Sequence, residues 1–296
     1  MILVFGRSGQ VGTELQRLGN VTALDQDQAD LSDPDSCAEA IRARRPRAVI
    51  NAAAYTAVDR AEDEEPLATT INGAAPAAMA RACAEIGAPL VHISTDYVFD
   101  GSGSLPWAPG DQTAPINAYG RSKLAGETGI RAAGGPHAIL RTSWVFSAHG
   151  ANFVRTMLRL GAERDRLSIV ADQVGGPTSA AAIARACLTV SEALCQQPEK
   201  TGTYHLSGGP DVSWADFARA IFARAGLTAE VKDVPSSAYP TPAARPLNSR
   251  LDNTALARAF HLSRPDWQAD LDAVLRDLGH LQAARAGRSA QAIRQT

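Results

Sequence analysis

Tyr119-Gly120-Arg121-Ser122-Lys123 sets a phenol and an amine four residues apart in a stretch with helical spacing, so both side chains leave one face. That pairing suits proton transfer to a carbonyl oxygen. A phenol has a pKa near 10, and an acid working at neutral pH gains from a lower one. A nearby ammonium stabilises phenolate. Lowering the pKa by ~3 units takes about 4 kcal/mol, within reach of one close charge in a partly dry site aided by a cofactor cation. A bare Y-x-x-x-K arises often by chance, but Ser94-Thr95-Asp96 strengthens it. These residues end the apolar run Leu90 to Ile93, where a hydroxyl can bond the same oxygen that Tyr119 protonates.

A second chemical signature opens the chain. Gly6-Arg7-Ser8-Gly9-Gln10-Val11-Gly12 follows the apolar run Ile2 to Phe5 and begins a helix-like segment. G-x-x-G-x-x-G is a variant of the dinucleotide fingerprint: Gly6 for a tight turn, Gly9 for close backbone approach to a pyrophosphate, Gly12 for helix–strand packing. Free N–H groups at the helix start, including those of Gln10 and Val11, suit phosphate. Asp25, about 20 residues on, can accept from an adenosine ribose and favours NAD, whereas Arg7 can neutralise a 2′-phosphate and favours NADP. The two signals conflict and leave the choice open. Asp30-Leu31 can flank the adenine or form a plain loop. Ala52-Ala53-Ala54 places small residues after a third strand, where a doubly wound fold keeps its ligand crevice.

The elements that would position these groups alternate along the first half. Ile2 to Phe5, Val21 to Leu24, Ala48 to Ile50, Leu90 to Ile93 and Ala138 to Leu140 suit buried parallel strands. Helical spacing covers Gln10 to Leu18, Pro34 to Arg44, Leu67 to Ile86 and Ala118 to Ala132, with Asp33-Pro34 as an N-cap and first-turn proline. This alternation predicts an α/β fold, a doubly wound parallel sheet of Rossmann type with a smaller C-terminal substrate-binding lobe. Residues 1–145 form the dinucleotide-binding domain, with sheet elements added from about 167–170 and 204–207. Residues 146–282 form most of the lobe, and 283–296 read as a disordered tail. Ser213 to Asp216 opens a helix with a variant capping box, and the prolines at 235, 240, 242 and 246 suit loops around a ligand or over a core.

Bulk properties exclude several partners. The formal net charge of −2 argues against nucleic acid. No stretch approaches the ~20 apolar residues of a membrane span, and the start MILVFG lacks the basic region of a signal peptide. The four cysteines show no metal-ligand spacing and read as buried thiols of a reducing compartment. The expectation is a cytoplasmic enzyme, and no metal site is read from the residues.

Longer segments carry a resemblance. The chain resembles the extended short-chain dehydrogenase/reductases and, more narrowly, the dTDP-4-dehydrorhamnose reductase family, from its first strand to about Leu271. The segments are Asn51 to Asp59 (NAAAYTAVD), Ser94 to Phe99 (STDYVF), Arg141 to Phe146 (RTSWVF), Asp172 to Thr178 (DQVGGPT) and Arg245 to Leu251 (RPLNSRL). The resemblance implies that Thr95, Tyr119 and Lys123 are the catalytic trio. NADPH, with NADH as an alternative, would reduce C4 of dTDP-4-dehydro-6-deoxy-L-mannose to give dTDP-L-rhamnose. Asp96, Trp144, Asn152, Gln173 and Arg245 would contact the nucleotide sugar, Trp144 against the sugar ring and Arg245 on the diphosphate. Some relatives are dimers bridged by Mg²⁺. Here Glu14 is retained but Ala181 stands where a second carboxylate is expected, which weakens such a site. Monomer and homodimer both stay open. Two alternatives remain: another sugar-nucleotide 4-epimerase, dehydratase or reductase, and a non-catalytic NADP-binding regulatory subunit. Tyr97, where a dehydratase typically carries Glu, argues against dehydration, and the intact trio argues against the subunit.

Overall fold

Strands as apolar as Ile2–Phe5 and Ala48–Asn51 are stable only when helices cover both faces of their sheet, and the fold follows from that requirement. The computed structural model describes residues 1–281. Its main sheet contains β1 (Ile2–Phe5), β2 (Val21–Leu24), β3 (Ala48–Asn51), β4 (Leu90–Thr95), β5 (His137–Thr142) and the later strand Gly202–His205. All pair in parallel, in the spatial order β2, β1, β3, β4, β5, Gly202–His205. The order reverses between β1 and β3, so a crevice opens there at the strands' C-terminal ends.

One face is covered by α1 (Gln10–Leu18) and, from far along the chain, α7 (Ala180–Gln196) and α9 (Thr254–Phe260). The other carries α2 (Pro34–Arg44), α4 (Ala75–Ile86) and α5 (Ala118–Ala132). Asp33 caps α2 by accepting from the Asp35 and Ser36 N–H groups. The helix expected over Leu67 to Ile86 is a short α3 (Glu65–Thr69), a π-turn over Thr70–Ala74, and α4. The π-turn turns Asn72 inward, where it accepts from Tyr55 N at 2.8 Å and donates to Ser122 Oγ of α5 at 3.0 Å.

The lobe packs around Phe146, Leu158, Phe217, Ile221, Trp267 and Leu271. Its helices are α6 (Phe153–Glu163), α8 (Trp214–Ala225) and α10 (Trp267–Asp277), and Ser213 caps α8 by accepting from Asp216 N. Two sequence expectations need correction here. The strand at 167–170 does not enter the main sheet: Arg166–Val170 pairs with Glu230–Val234 inside the lobe. The domain boundary near 145 is also not a clean cut, because α7 and α9 pack on the main sheet. Alanines at 180, 184 and 186, with Ile183 and Val190, give α7 an apolar face that the sheet buries. The strand expected at 204–207 does join the sheet, as Gly202–His205. The tail expected at 283–296 lies outside the described residues.

Candidate active site

The glycine turn stands at the crevice. Gly6 has φ +97°, and a Cβ there would lie 2.8 Å from Ala53 N. Gly12 has ordinary dihedrals but faces the turn so closely that a Cβ would stand 1.9 Å from Gly6 O. Helix α1 begins with no side-chain cap and no acidic residue in its first turn. Its amides therefore offer free donors and a partial positive charge to an anion. A cleft of about 810 Å³ spreads from here. It is lined by Gly6, Arg7, Gly9, Gln10, Val11, Asp25, Asp30, Leu31, Ala52, Ala53 and Ala54 at one end and by Thr95, Asp96, Tyr119, Lys123 and Trp144 at the other. A glycine cradle, an uncapped helix start and adjacent acceptors fit a dinucleotide. Gly12 lies behind that wall and acts through packing. Arg7 and Asp25, read as opposing signals, stand together at 3.4 Å.

The helix that carries Tyr119 and Lys123 is held at its start. Asn117 caps α5 by accepting from Gly120 N at 2.7 Å, while its own amide donates to Ala244 O at 2.7 Å. Glu62 accepts from Ala118 N at 2.8 Å, and Arg121 makes a bidentate pair with Glu65 at 2.7 and 2.8 Å. Gly120 permits close contact with the turn after β4, since a Cβ there would lie 2.2 Å from Tyr97 O. Tyr119 is thereby set beside Thr95. The Thr95 hydroxyl accepts from Tyr97 N at 3.2 Å and donates to Asp96 Oδ1 at 3.1 Å.

The electrostatics differ from the simple pairing of phenol and ammonium. Burial pushes the Tyr119 phenol up to about 12, with the Thr95 hydroxyl pulling against it and the Asp96 carboxylate adding to it. Burial also brings Lys123 down to about 8, opposed by Glu127. Lys123 Nζ donates to Ile93 O at 2.7 Å and stands 3.2 Å from His92 Nε2. Burial raises the Asp96 carboxyl to about 6, and its Oδ2 is buried with no hydrogen-bond partner. Under the site, Glu127 receives Arg141 at 2.8 and 2.7 Å and Ser94 at 2.6 Å, a buried ion pair whose acceptors are well used.

A second cavity, of about 800 Å³, lies in the lobe and shares Tyr97 and Trp214 with the first cleft. Gln173, Arg245, Arg164, Arg166 and Tyr239 line it. Arg245 is aimed by a bidentate pair with Asp59 at 3.0 and 2.8 Å. Gln173 donates to Ser236 Oγ at 2.9 Å. Trp144 adopts φ +51° and stacks on Trp214, centroids 3.6 Å apart. Asn152 is not brought to either cavity. It caps α6, accepting from Arg155 N and donating to Ser147 O at 2.9 Å.

The RmlD substrate binding domain family matches residues 1–280. A dTDP-4-dehydrorhamnose reductase from Salmonella typhimurium is 45% identical over 291 residues, spanning 94% of this chain and 97% of the relative. This chain belongs to the dTDP-4-dehydrorhamnose reductase family. Solved structures agree. A reductase of that name from Clostridium acetobutylicum superposes with a TM-score of 0.88 at 36% identity, covering 94% of this chain and 99% of that one. One from Bacillus anthracis, in complex with NADP, gives 0.86 at 35% identity, covering 93% and 98%.

Sequence reasoning did not single out His92, Asn117, Asp59 or Trp214. Asn117 carried a readable signal, an N-cap residue directly before the helix of Tyr119. His92 sits in an apolar strand and Trp214 at a helix start, where nothing in spacing separates them from core residues.

Proposed function

We propose that this chain reduces dTDP-4-dehydro-6-deoxy-L-mannose at C4 to dTDP-L-rhamnose, using NADPH or NADH, with Thr95, Tyr119 and Lys123 at the reacting centre. The observation that carries the reading is the junction of the two cavities. The cleft at the glycine turn, which ends at Thr95 and Tyr119, shares Tyr97 and Trp214 with a cavity whose arginines suit a diphosphate. A bound nicotinamide cofactor supplies the hydride. Tyr119 delivers the proton that the forming alkoxide requires, and Thr95 presents its hydroxyl to the same oxygen. Lys123 supports the phenolate left on Tyr119 and grips the cofactor ribose. Trp144, backed by Trp214, offers a flat apolar wall to the sugar. Arg245, held by Asp59, and Arg164 face the diphosphate, and Gln173 the nucleoside. Asn152 acts by fixing the loop ahead of α6.

Arg7 and Asp25 pair with each other, so each is available to one cofactor at the expense of the same ion pair. Affinities for NADPH and NADH within about tenfold, or ~1.4 kcal/mol, follow. Glu14 is nearly buried and taken by Arg17 at 3.1 Å and His149 at 3.2 Å. Together with Ala181, this supports a chain that works without Mg²⁺, as monomer or homodimer. The direct test is oxidation of NADPH, and of NADH, against a panel of 4-keto sugar nucleotides. Turnover confined to the dTDP-linked 4-keto-6-deoxy sugar supports the assignment; preference for a different nucleotide or sugar refutes it.

A further inference from the structure

Behind the Lys123 amine lies a chain of buried polar groups that the reaction as described does not use. Asn51 ends β3 and His92 lies within β4, and neither has measurable exposure. Asn51 Oδ1 accepts from Ala53 N at 3.1 Å, which fixes which way the amide faces. Its Nδ2 therefore donates to His92 Nδ1 at 3.1 Å. Burial, to which any charge on Lys123 would add, holds His92 well below its ordinary pKa, so the ring is neutral. With Nδ1 accepting, the single ring proton sits on Nε2. That N–H points at Lys123 Nζ, 3.2 Å away. An ammonium has no lone pair to receive it, whereas an amine does. The other partner, Ile93 O, accepts from both forms, more strongly from the ammonium.

The remaining groups around Lys123 do not reverse this preference. Glu127, one turn further along α5, favours the ammonium. Its carboxylate is already engaged by Arg141 from β5, by Arg131 at 3.2 Å from α5 and by Ser94 from β4. Tyr119, one turn earlier, is an un-ionised phenol, and Asp96 acts on that phenol from the turn after β4. We propose that His92 is a positioning residue that donates its Nε2–H to an uncharged Lys123 amine, so that Asn51 and His92 together select the protonation state of Lys123 in the cofactor-free site. Taking up a proton at Lys123 then requires the imidazole to change tautomer and give up its bond from Asn51. The amine form prevails above the Lys123 midpoint and the ammonium below it, so any step that needs the ammonium weakens as pH rises through that midpoint.

The chain has only three lysines, Lys123, Lys200 and Lys232, so ¹³C-lysine labelling of the full-length, cofactor-free protein gives three signals to titrate. Lys123 is identified by its loss in Lys123→Met. The expected result is a Lys123 midpoint at least about tenfold in proton affinity below those of Lys200 and Lys232, and an upward move of about one pH unit or more in His92→Phe. Asn51→Asp is the second variant. Its carboxylate accepts from an Nδ1–H, turns Nε2 into an acceptor and moves the midpoint upward with the imidazole in place. A Lys123 midpoint matching the other two lysines overturns the proposal. So does a midpoint unmoved in whichever of His92→Phe and Asn51→Asp folds. The titration uses no substrate. Failure to reduce the keto-sugar refutes the reductase reading and leaves this result standing.

Discussion

At the residue scale, the duties proposed for Tyr119 and Lys123 are separable. Tyr119→Phe removes one proton while the ring keeps its packing beside Tyr97, centroids 5.6 Å apart. Loss of general acid catalysis lowers kcat by on the order of 10²–10⁴. NADPH affinity, measured by calorimetry, changes little, because the phenol adds at most one hydrogen bond. Lys123→Met is expected to lower both kcat and cofactor affinity, since Lys123 is proposed to serve both the phenol and the ribose. The double variant is little worse than either single one, because both act on the same proton transfer. Near-normal turnover in Tyr119→Phe contradicts the assignment of the acid. The un-ionised, buried phenol is consistent with this role: a donor must hold its proton until the alkoxide forms, and burial keeps it there.

At the element scale, the site depends on how closely one helix and one turn approach a strand. Gly12→Ala places a methyl 1.9 Å from Gly6 O, a backbone atom that yields only if the turn moves. The expected cost is about 1–3 kcal/mol or more, seen as a lower Tm together with weaker NADPH binding; a Tm and affinity equal to the parent's contradict this role. This was legible beforehand because the glycine spacing has a mechanical meaning. The first five strands and Tyr119 with Lys123 were legible for a similar reason: each is a local pattern with a local cause. Placement of Leu167 to Val170 was not, because a short apolar run does not announce its pairing partner. Helix α7 reads as an ordinary amphipathic helix and joins the first layer only through a long chain crossing. His92 is hidden by the apolar strand around it, and the role of Asn152 as a cap is indistinguishable in sequence from a ligand contact.

At the scale of the whole molecule, the chain divides by layer more than by sequence, with α7 and α9 returning to the main sheet after the lobe has begun. The lobe can therefore shape its own cavity while meeting the cleft at the stacked Trp144 and Trp214. No helix among the described residues is long and apolar enough to cross a membrane. Glu14 is committed to Arg17 and His149 within the same chain, so EDTA is expected to leave both sedimentation mass and activity unchanged. A dimer that dissolves on chelation and re-forms with Mg²⁺ contradicts that expectation. The central claim, that this fold carries hydride from a nicotinamide to a keto-sugar, is tested most directly with NADPH deuterated at the transferable nicotinamide position. One deuterium at C4 of the dTDP-6-deoxyhexose is expected for each cofactor oxidised. An isomerised, unlabelled sugar with the cofactor intact, or no cofactor consumption at all, would contradict it.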